Sequence, residues 1–94
     1  MATPKRKKKV DTEALQSNLM RIPRMKTEVA RDLIDVGVRE VYQLEGRSPE
    51  VLFDDLRRKK PEAPEDRLPY FRMAVYFAET PLPESSRMRP EAWL

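Results

Sequence analysis

The stretch Ile22-Pro23-Arg24-Met25-Lys26-Thr27-Glu28-Val29-Ala30-Arg31-Asp32-Leu33-Ile34-Asp35-Val36-Gly37-Val38 decides how this chain folds. Its second part has a helical period. Val29, Leu33 and Val36 fall on one stripe with Ala30 and Ile34 beside it, while Glu28, Arg31, Asp32 and Asp35 face the other way. That spacing predicts a helix from about Thr27 to Val36. Gly37 follows the last periodic residue, where a left-handed residue closes a helix. Upstream, Leu15 and Leu19 are four apart and Ile22 three further on; Asp11 stands before this run as a cap and Pro23 stops it. Only Arg24 to Lys26, give or take one flanking residue, separates the two helices. So short a connection forces an antiparallel or steeply crossed pair, a helical hairpin.

Downstream, a short third helix is expected around Val41 to Leu44. Ser48-Pro49-Glu50 then supplies a cap, a proline at the first helical position and an early acid for the positive end of the dipole. The helix it starts carries Leu52, Phe53 and Leu56 inward and ends in Arg57 to Lys60, cations suited to a helix C-terminus. A loop over Lys60 to Asp66, with Pro61 and Pro64, leads to Leu68 to Ala78, the most apolar segment. Leu68, Phe71, Val75 and Ala78 make one stripe; Tyr70, Met73 and Phe77 make another, so this element should lie centrally. A buried strand is the rival reading, because Val75, Tyr76 and Phe77 favour strands; its length, its Met and its two Ala favour helix. These aromatic side chains read as core rather than as a base-stacking platform. Arg72, the one charge inside the segment, either emerges at the surface or pairs with Asp32 or Asp35. Glu84 to Leu94 is polar apart from Met88, Trp93 and Leu94 and is expected to be loosely held, with Trp93 folded back on the bundle or marking a partner contact.

Composition narrows the chemistry. With 94 residues the chain is one small domain, able to form a core but a modest one. There is no Cys and no His, which removes thiolate nucleophiles, imidazole bases and zinc sites with sulfur or nitrogen ligands. Asp54 and Asp55 are adjacent and point in different directions on a helix, so they make a poor acid/base pair. No catalytic residue, metal or cofactor is expected, and no small-molecule substrate. No apolar run reaches the length of a membrane span, and no secretory signal is expected. The lack of Cys agrees with a cytoplasmic location. The formal charge of +3 is unevenly placed: Lys5, Arg6, Lys7, Lys8 and Lys9 hold five of the 19 basic residues, leaving 14 against 16 acids from Asp11 onward. Residues 1–10 read as a disordered basic tail, because five adjacent like charges repel one another. The domain proper should span 11–83, with 84–94 as a C-terminal tail.

The run from Leu19 to Val38 resembles a helix-hairpin-helix motif, with Ile22-Pro23, Ala30, Leu33-Ile34 and Gly37-Val38 in register. Adding Val41-Tyr42-Gln43-Leu44, the Ser48-Pro49-Glu50 start and Tyr70 to Ala78, the chain from Leu15 to Pro83 resembles the bacterial pathogenicity-locus proteins, small stand-alone helix-hairpin-helix domains. The resemblance implies an all-α bundle of about five helices containing one such motif, of the SAM-like, polymerase-beta N-terminal-like kind. It also implies, by analogy, sequence-independent nucleic-acid binding. In such motifs two turn glycines let the backbone approach a phosphate, which amides at the start of the second helix then bind.

This chain departs from that pattern where it matters most. Arg24 and Lys26 occupy the two glycine positions, and Glu28 lies where a basic residue often sits. Side chains there obstruct close approach, and a left-handed conformation would be strained. Two readings stay open. In the first, the chain is a non-catalytic module that binds the DNA phosphate backbone weakly through Arg21, Arg24, Met25, Lys26 and Thr27 at the hairpin tip and through Lys5, Arg6, Lys7, Lys8 and Lys9. Five tail contacts would give a salt slope of roughly −4. In the second, the hairpin is structural and the chain is a protein-interaction module; the tail is then merely solvated.

Overall fold

The structure is a computed structural model and describes residues 10–94. Lys5 to Lys9 and the expected disorder of the basic tail lie outside the described residues. Four α-helices form the framework: α1 (Thr12–Leu15), α2 (Thr27–Asp35), α3 (Pro49–Lys59) and α4 (Arg67–Glu79). Short 3₁₀ turns at Asn18–Arg21, Val41–Leu44, Ser85–Arg87 and Pro90–Trp93 connect or follow them. No strand occurs among the described residues, so the strand alternative for Val75 to Phe77 is set aside.

The helix count is four rather than about five, for local reasons. The run expected to continue from Asp11 to Ile22 breaks after Leu15. The Ser17 hydroxyl accepts the Leu19 N–H at 3.0 Å while the Ser17 backbone is extended. Ser and Asn compete with the backbone in this way and so favour turns over helix interiors. The break shifts the phase of the stripe. Ala14 is buried and Leu15 is 49% exposed, while Leu19 and Ile22 remain in the core. The expected helix at Val41–Leu44 is a 3₁₀ turn, fixed by a capping box between Glu40 and Gln43.

The other boundaries follow the chemistry of their ends. Asp11 accepts the Ala14 N–H at 3.1 Å and caps α1. α2 closes with Gly37 at φ 96°, its N–H donating to the Ile34 carbonyl and the Val38 N–H to the Leu33 carbonyl, both at 2.9 Å. This is a Schellman closure, and it draws Val38 into the core behind Leu33. Ser48 caps α3 by accepting the Val51 N–H at 3.2 Å, with Pro49 in the first turn.

α4 is packed on by α3 and by the 3₁₀ turns at Val41–Leu44 and Pro90–Trp93. Tyr70, Phe71, Met73, Ala74 and Val75 are buried along it. Against them come Leu52 and Leu56 of α3 and Leu44 of the preceding 3₁₀ turn, while α2 packs on α1 and α3 and adds Val29, Ala30, Leu33 and Ile34 to the same core. Burying a side chain such as Phe71 contributes about 2–3 kcal/mol. Leu68, placed by its spacing on the core stripe, is only half-buried. The C-terminal residues are packed, where a loosely held tail was expected. Met88 is buried, Trp93 lies against Tyr76 at 5.3 Å between ring centroids, and its indole N–H donates to the Arg87 carbonyl at 2.8 Å. Arg72 holds this segment by donating to the Trp93 carbonyl at 2.7 Å and pairing with Glu50 at 3.2 Å. It therefore reaches neither Asp32 nor Asp35.

Candidate nucleic-acid interface

The turn between the first helical segment and α2 is pinned at both ends and bare on its outside. Ile22 and Met25 are buried; Arg21, Pro23, Arg24 and Lys26 are exposed. The Met25 N–H donates to the Ile22 carbonyl at 3.1 Å, closing a β-turn with Pro23 second and Arg24 third. Arg24 has φ 65°. A positive φ at the third position after proline belongs to a type II turn, whose usual occupant is glycine. A non-glycine residue held there costs on the order of 1–2 kcal/mol. The strain expected from the sequence is thus present at the first glycine position. It is absent at the second: Lys26 has φ −105° and ψ 151°, an ordinary extended conformation, and serves as the N-cap residue of α2.

Lys26 does not cap α2 with its side chain, and no other side chain does. The first-turn amides have no intrahelical acceptor, and the dipole adds positive potential there. The Lys26 ammonium lies 5.9 Å from the centre of the Tyr70 ring, which orients its stem across α4. Thr27 is half-buried at the first turn. Met25 contributes to the core, so its side chain is withdrawn from the surface at which it was expected to act. Among the described residues no carboxylate lies within 4.0 Å of Arg21, Arg24 or Lys26. Glu28 sits two residues from Lys26 and, among the described residues, forms no ion pair with any of the three tip cations.

The charged residues within α2 are the opposite case. Arg31 binds Asp11 at 2.7 Å, Glu13 at 2.7 Å and Asp35 at 3.2 Å, and Glu13 also binds Arg39 at 2.7 Å. Lys60 joins Asp35 at 2.7 Å to Asp32 at 2.8 Å, and Asp32 takes Arg67 at 2.6 Å. One chain of charges therefore ties α1, α2, the end of α3 and the start of α4. Asp32, expected on the solvent face, is 5% exposed. It lies beside Val36 at the edge of the apolar stripe, and two cations from distant segments close over it. Of the cations expected simply to sit at the end of α3, Lys60 serves this cluster. Arg57 stacks on Phe53 at 4.6 Å and donates twice to the Ala63 carbonyl, at 3.2 and 2.8 Å.

These contacts shift the titrations. The Arg31 guanidinium and the Ala14 N–H hold the Asp11 carboxyl down at about 2. Arg39 and Arg31 lower Glu13. For Asp35, burial pushes upward, but hydrogen bonds from Lys60 and Arg31 outweigh it and the net direction is down. Burial works against the Lys60 ammonium, yet Asp32 and Asp35 raise it overall.

Among the described residues no group of three or more acidic side chains is gathered to hold a metal ion, and no helix is long and apolar enough to cross a membrane. Among the described residues the geometry defines an all-helical domain with an unpaired cationic turn leading into α2 and an ion-pair lattice along that helix. Residues 12–93 match the pathogenicity-locus family, Cdd1, and the chain belongs to it. The match takes in the packed C-terminal segment as well as the four helices. No curated protein and no solved structure matches the chain.

Proposed function

We propose that this chain is a non-catalytic helix-hairpin-helix module that binds the phosphate backbone of DNA weakly and without regard to sequence. The single observation carrying the reading is the tip itself: Arg21, Arg24 and Lys26 crowd one short turn with no carboxylate beside them. Arg47, Arg57, Lys59 and Arg89 also lack a carboxylate partner among the described residues, but Arg57 is engaged by Phe53 and the Ala63 carbonyl, and the others stand singly. The uncapped start of α2 lends support. Its free amides and dipole favour an anion, and Arg24 and Lys26 supply charge-assisted contacts, stronger than neutral ones, where backbone approach is obstructed. The basic tail, Lys5 to Lys9, adds counterion release and no sequence preference. Arg24 kept in a glycine conformation fits the same reading, since backbone strain is commonly stored at binding sites.

Titrating labelled duplex, single-stranded and branched DNA with the full chain tests the proposal. Saturable binding that weakens as salt rises is expected; no saturable binding at about 50 mM salt removes it. Comparing Arg24→Ala with Lys26→Ala against deletion of residues 1–10 apportions the grip. If the tip variant binds as the parent does and only the deletion fails, the hairpin is structural and the tail is the sole contact.

A further inference from the structure

Residues 84–94 lie along α4, and their polar and aromatic contacts converge on Tyr76 and Arg72, one helical turn apart. The Tyr76 hydroxyl accepts the Glu84 N–H at 3.0 Å. Its ring centre lies 5.8 Å from the Arg87 guanidinium and 5.3 Å from the Trp93 ring. Arg72 donates to the Trp93 carbonyl at 2.7 Å. Between these anchors the segment is tied to itself, the Trp93 indole N–H meeting the Arg87 carbonyl at 2.8 Å.

Little is lost if the segment lifts away. Met88 is its one buried side chain; Trp93 is half-buried and most of the rest is exposed. A cavity of about 620 Å³ remains between Ala92 and Trp93 on one side and Glu50, Val75 and Tyr76 on the other, so the two parts do not close-pack there. Opening strands no charge, because Arg72 keeps Glu50 of α3 at 3.2 Å after the Trp93 carbonyl departs. The Tyr76 bond to Glu84 is at the surface, where water replaces it. A polar group left buried and unpaired is what makes an opening expensive, and none is created. The connection from α4 is equally free to turn: Pro81 and Pro83 have no N–H to tie down, and Leu82 is 88% exposed.

We infer that residues 84–94 form a latch, which opens and recloses as one unit while the four helices stay folded. Segments with few buried apolar contacts and surface hydrogen bonds open at lower cost than the core that carries them. Closed, the latch covers the Arg72–Tyr76 stripe of α4 and withdraws Met88 from water; open, it presents both. The segment is therefore packed and separable at once. This device is independent of the hairpin tip and stands whether or not the tip binds DNA.

The test uses the full chain, in which Trp93 is the only tryptophan. Urea unfolding followed by Trp93 emission and by far-UV circular dichroism is expected to give two transitions, the emission change coming first. Superimposable curves overturn the inference. Methionine oxidation in native buffer gives a second readout, hydrogen peroxide passing one oxygen to the thioether and leaving water. In the closed structure Met25 is 8% exposed and Met88 5%, so a latch that never opens makes Met25 the faster to oxidise. An opening latch reverses the order, with Met88 several-fold ahead at low conversion by peptide mass spectrometry. Met25 level with it or ahead contradicts the latch. Met88→Ala is expected to shift Trp93 emission to the red without urea, while the circular dichroism midpoint moves little. A midpoint that falls as far as the emission does makes the segment part of the core and overturns the inference.

Discussion

Arg24 and Arg31 are seven residues apart and meet opposite surroundings. Arg31 is surrounded by Asp11, Glu13 and Asp35; Arg24 has no carboxylate within reach and sits in a backbone conformation that its side chain disfavours. The turn before α2 and the charged face of α2 thus divide the labour. Charge that is matched within the chain holds segments together, and charge left unmatched at a pinned, strained turn is available to something outside. A count of basic residues alone does not separate these cases; the partners of each one do.

The largest expected effect comes from breaking the matched face. Asp32→Ala leaves Lys60 and Arg67 facing each other without their shared carboxylate. Removing one partner of a buried pair costs 3–5 kcal/mol, and the partial exposure of Lys60 brings the expectation to about 3 kcal/mol. Urea or thermal unfolding reads the loss, and DNA affinity per folded molecule should not change. Acid acts on the same face more gradually. Asp11, Glu13 and Asp35 titrate below their unfolded values, so their stabilisation is present above that range and is lost as pH falls through the folded values. For Asp11 that window runs from 3.8 down to about 2. Lys60 behaves oppositely: its folded value is raised above 10.5, so its contribution holds below that pH and disappears as pH rises past the folded value. Unfolding midpoints measured across the acid and alkaline ranges check both limbs.

Around the unmatched turn the effects on stability are smaller, and the first of them has the other sign. Arg24→Gly relieves the positive φ and, after the greater chain entropy of glycine, is expected to stabilise by about 0.5–1 kcal/mol. If the side chain grips phosphate, the same substitution weakens DNA binding, so stability and affinity move in opposite directions. Were the backbone the gripping element, glycine would strengthen binding instead. Smallest of all is Glu28→Lys. It removes a favourable acid from the first turn of α2, worth a few tenths of a kcal/mol, and is expected to steepen the salt dependence by about one unit.

What could be read from the sequence was whatever is decided within a few residues. The Gly37 closure, the Ser48-Pro49-Glu50 start and the apolar breadth of α4 each rest on neighbouring side chains, and each is in place. The short connection before Thr27 was legible for the same reason. The break after Leu15 was not, because a Leu15-Leu19-Ile22 spacing is also met when Ser17 diverts the chain into a 3₁₀ turn. Asp32 reads as a solvated acid until Lys60 and Arg67, 28 and 35 residues away, fold over it. Its position beside Val36 at the stripe edge was the available signal. The requirement for glycine was half legible. Two positions carried side chains in the family pattern's glycine places, but only Arg24 adopts a left-handed backbone. Leu68 shows the converse, an apolar residue on the core stripe that is only half-buried among the described residues.

The central claim is that cations at the turn, rather than the tail alone, touch the nucleic acid. Measuring affinity for one labelled duplex over a series of salt concentrations, for the parent chain and for Arg24→Ala with Lys26→Ala, addresses it directly. Loss of two phosphate contacts should make the double logarithmic slope shallower by about two units and weaken binding at low salt. Superimposable lines for the two proteins would contradict the account and leave the turn as a joint between helices.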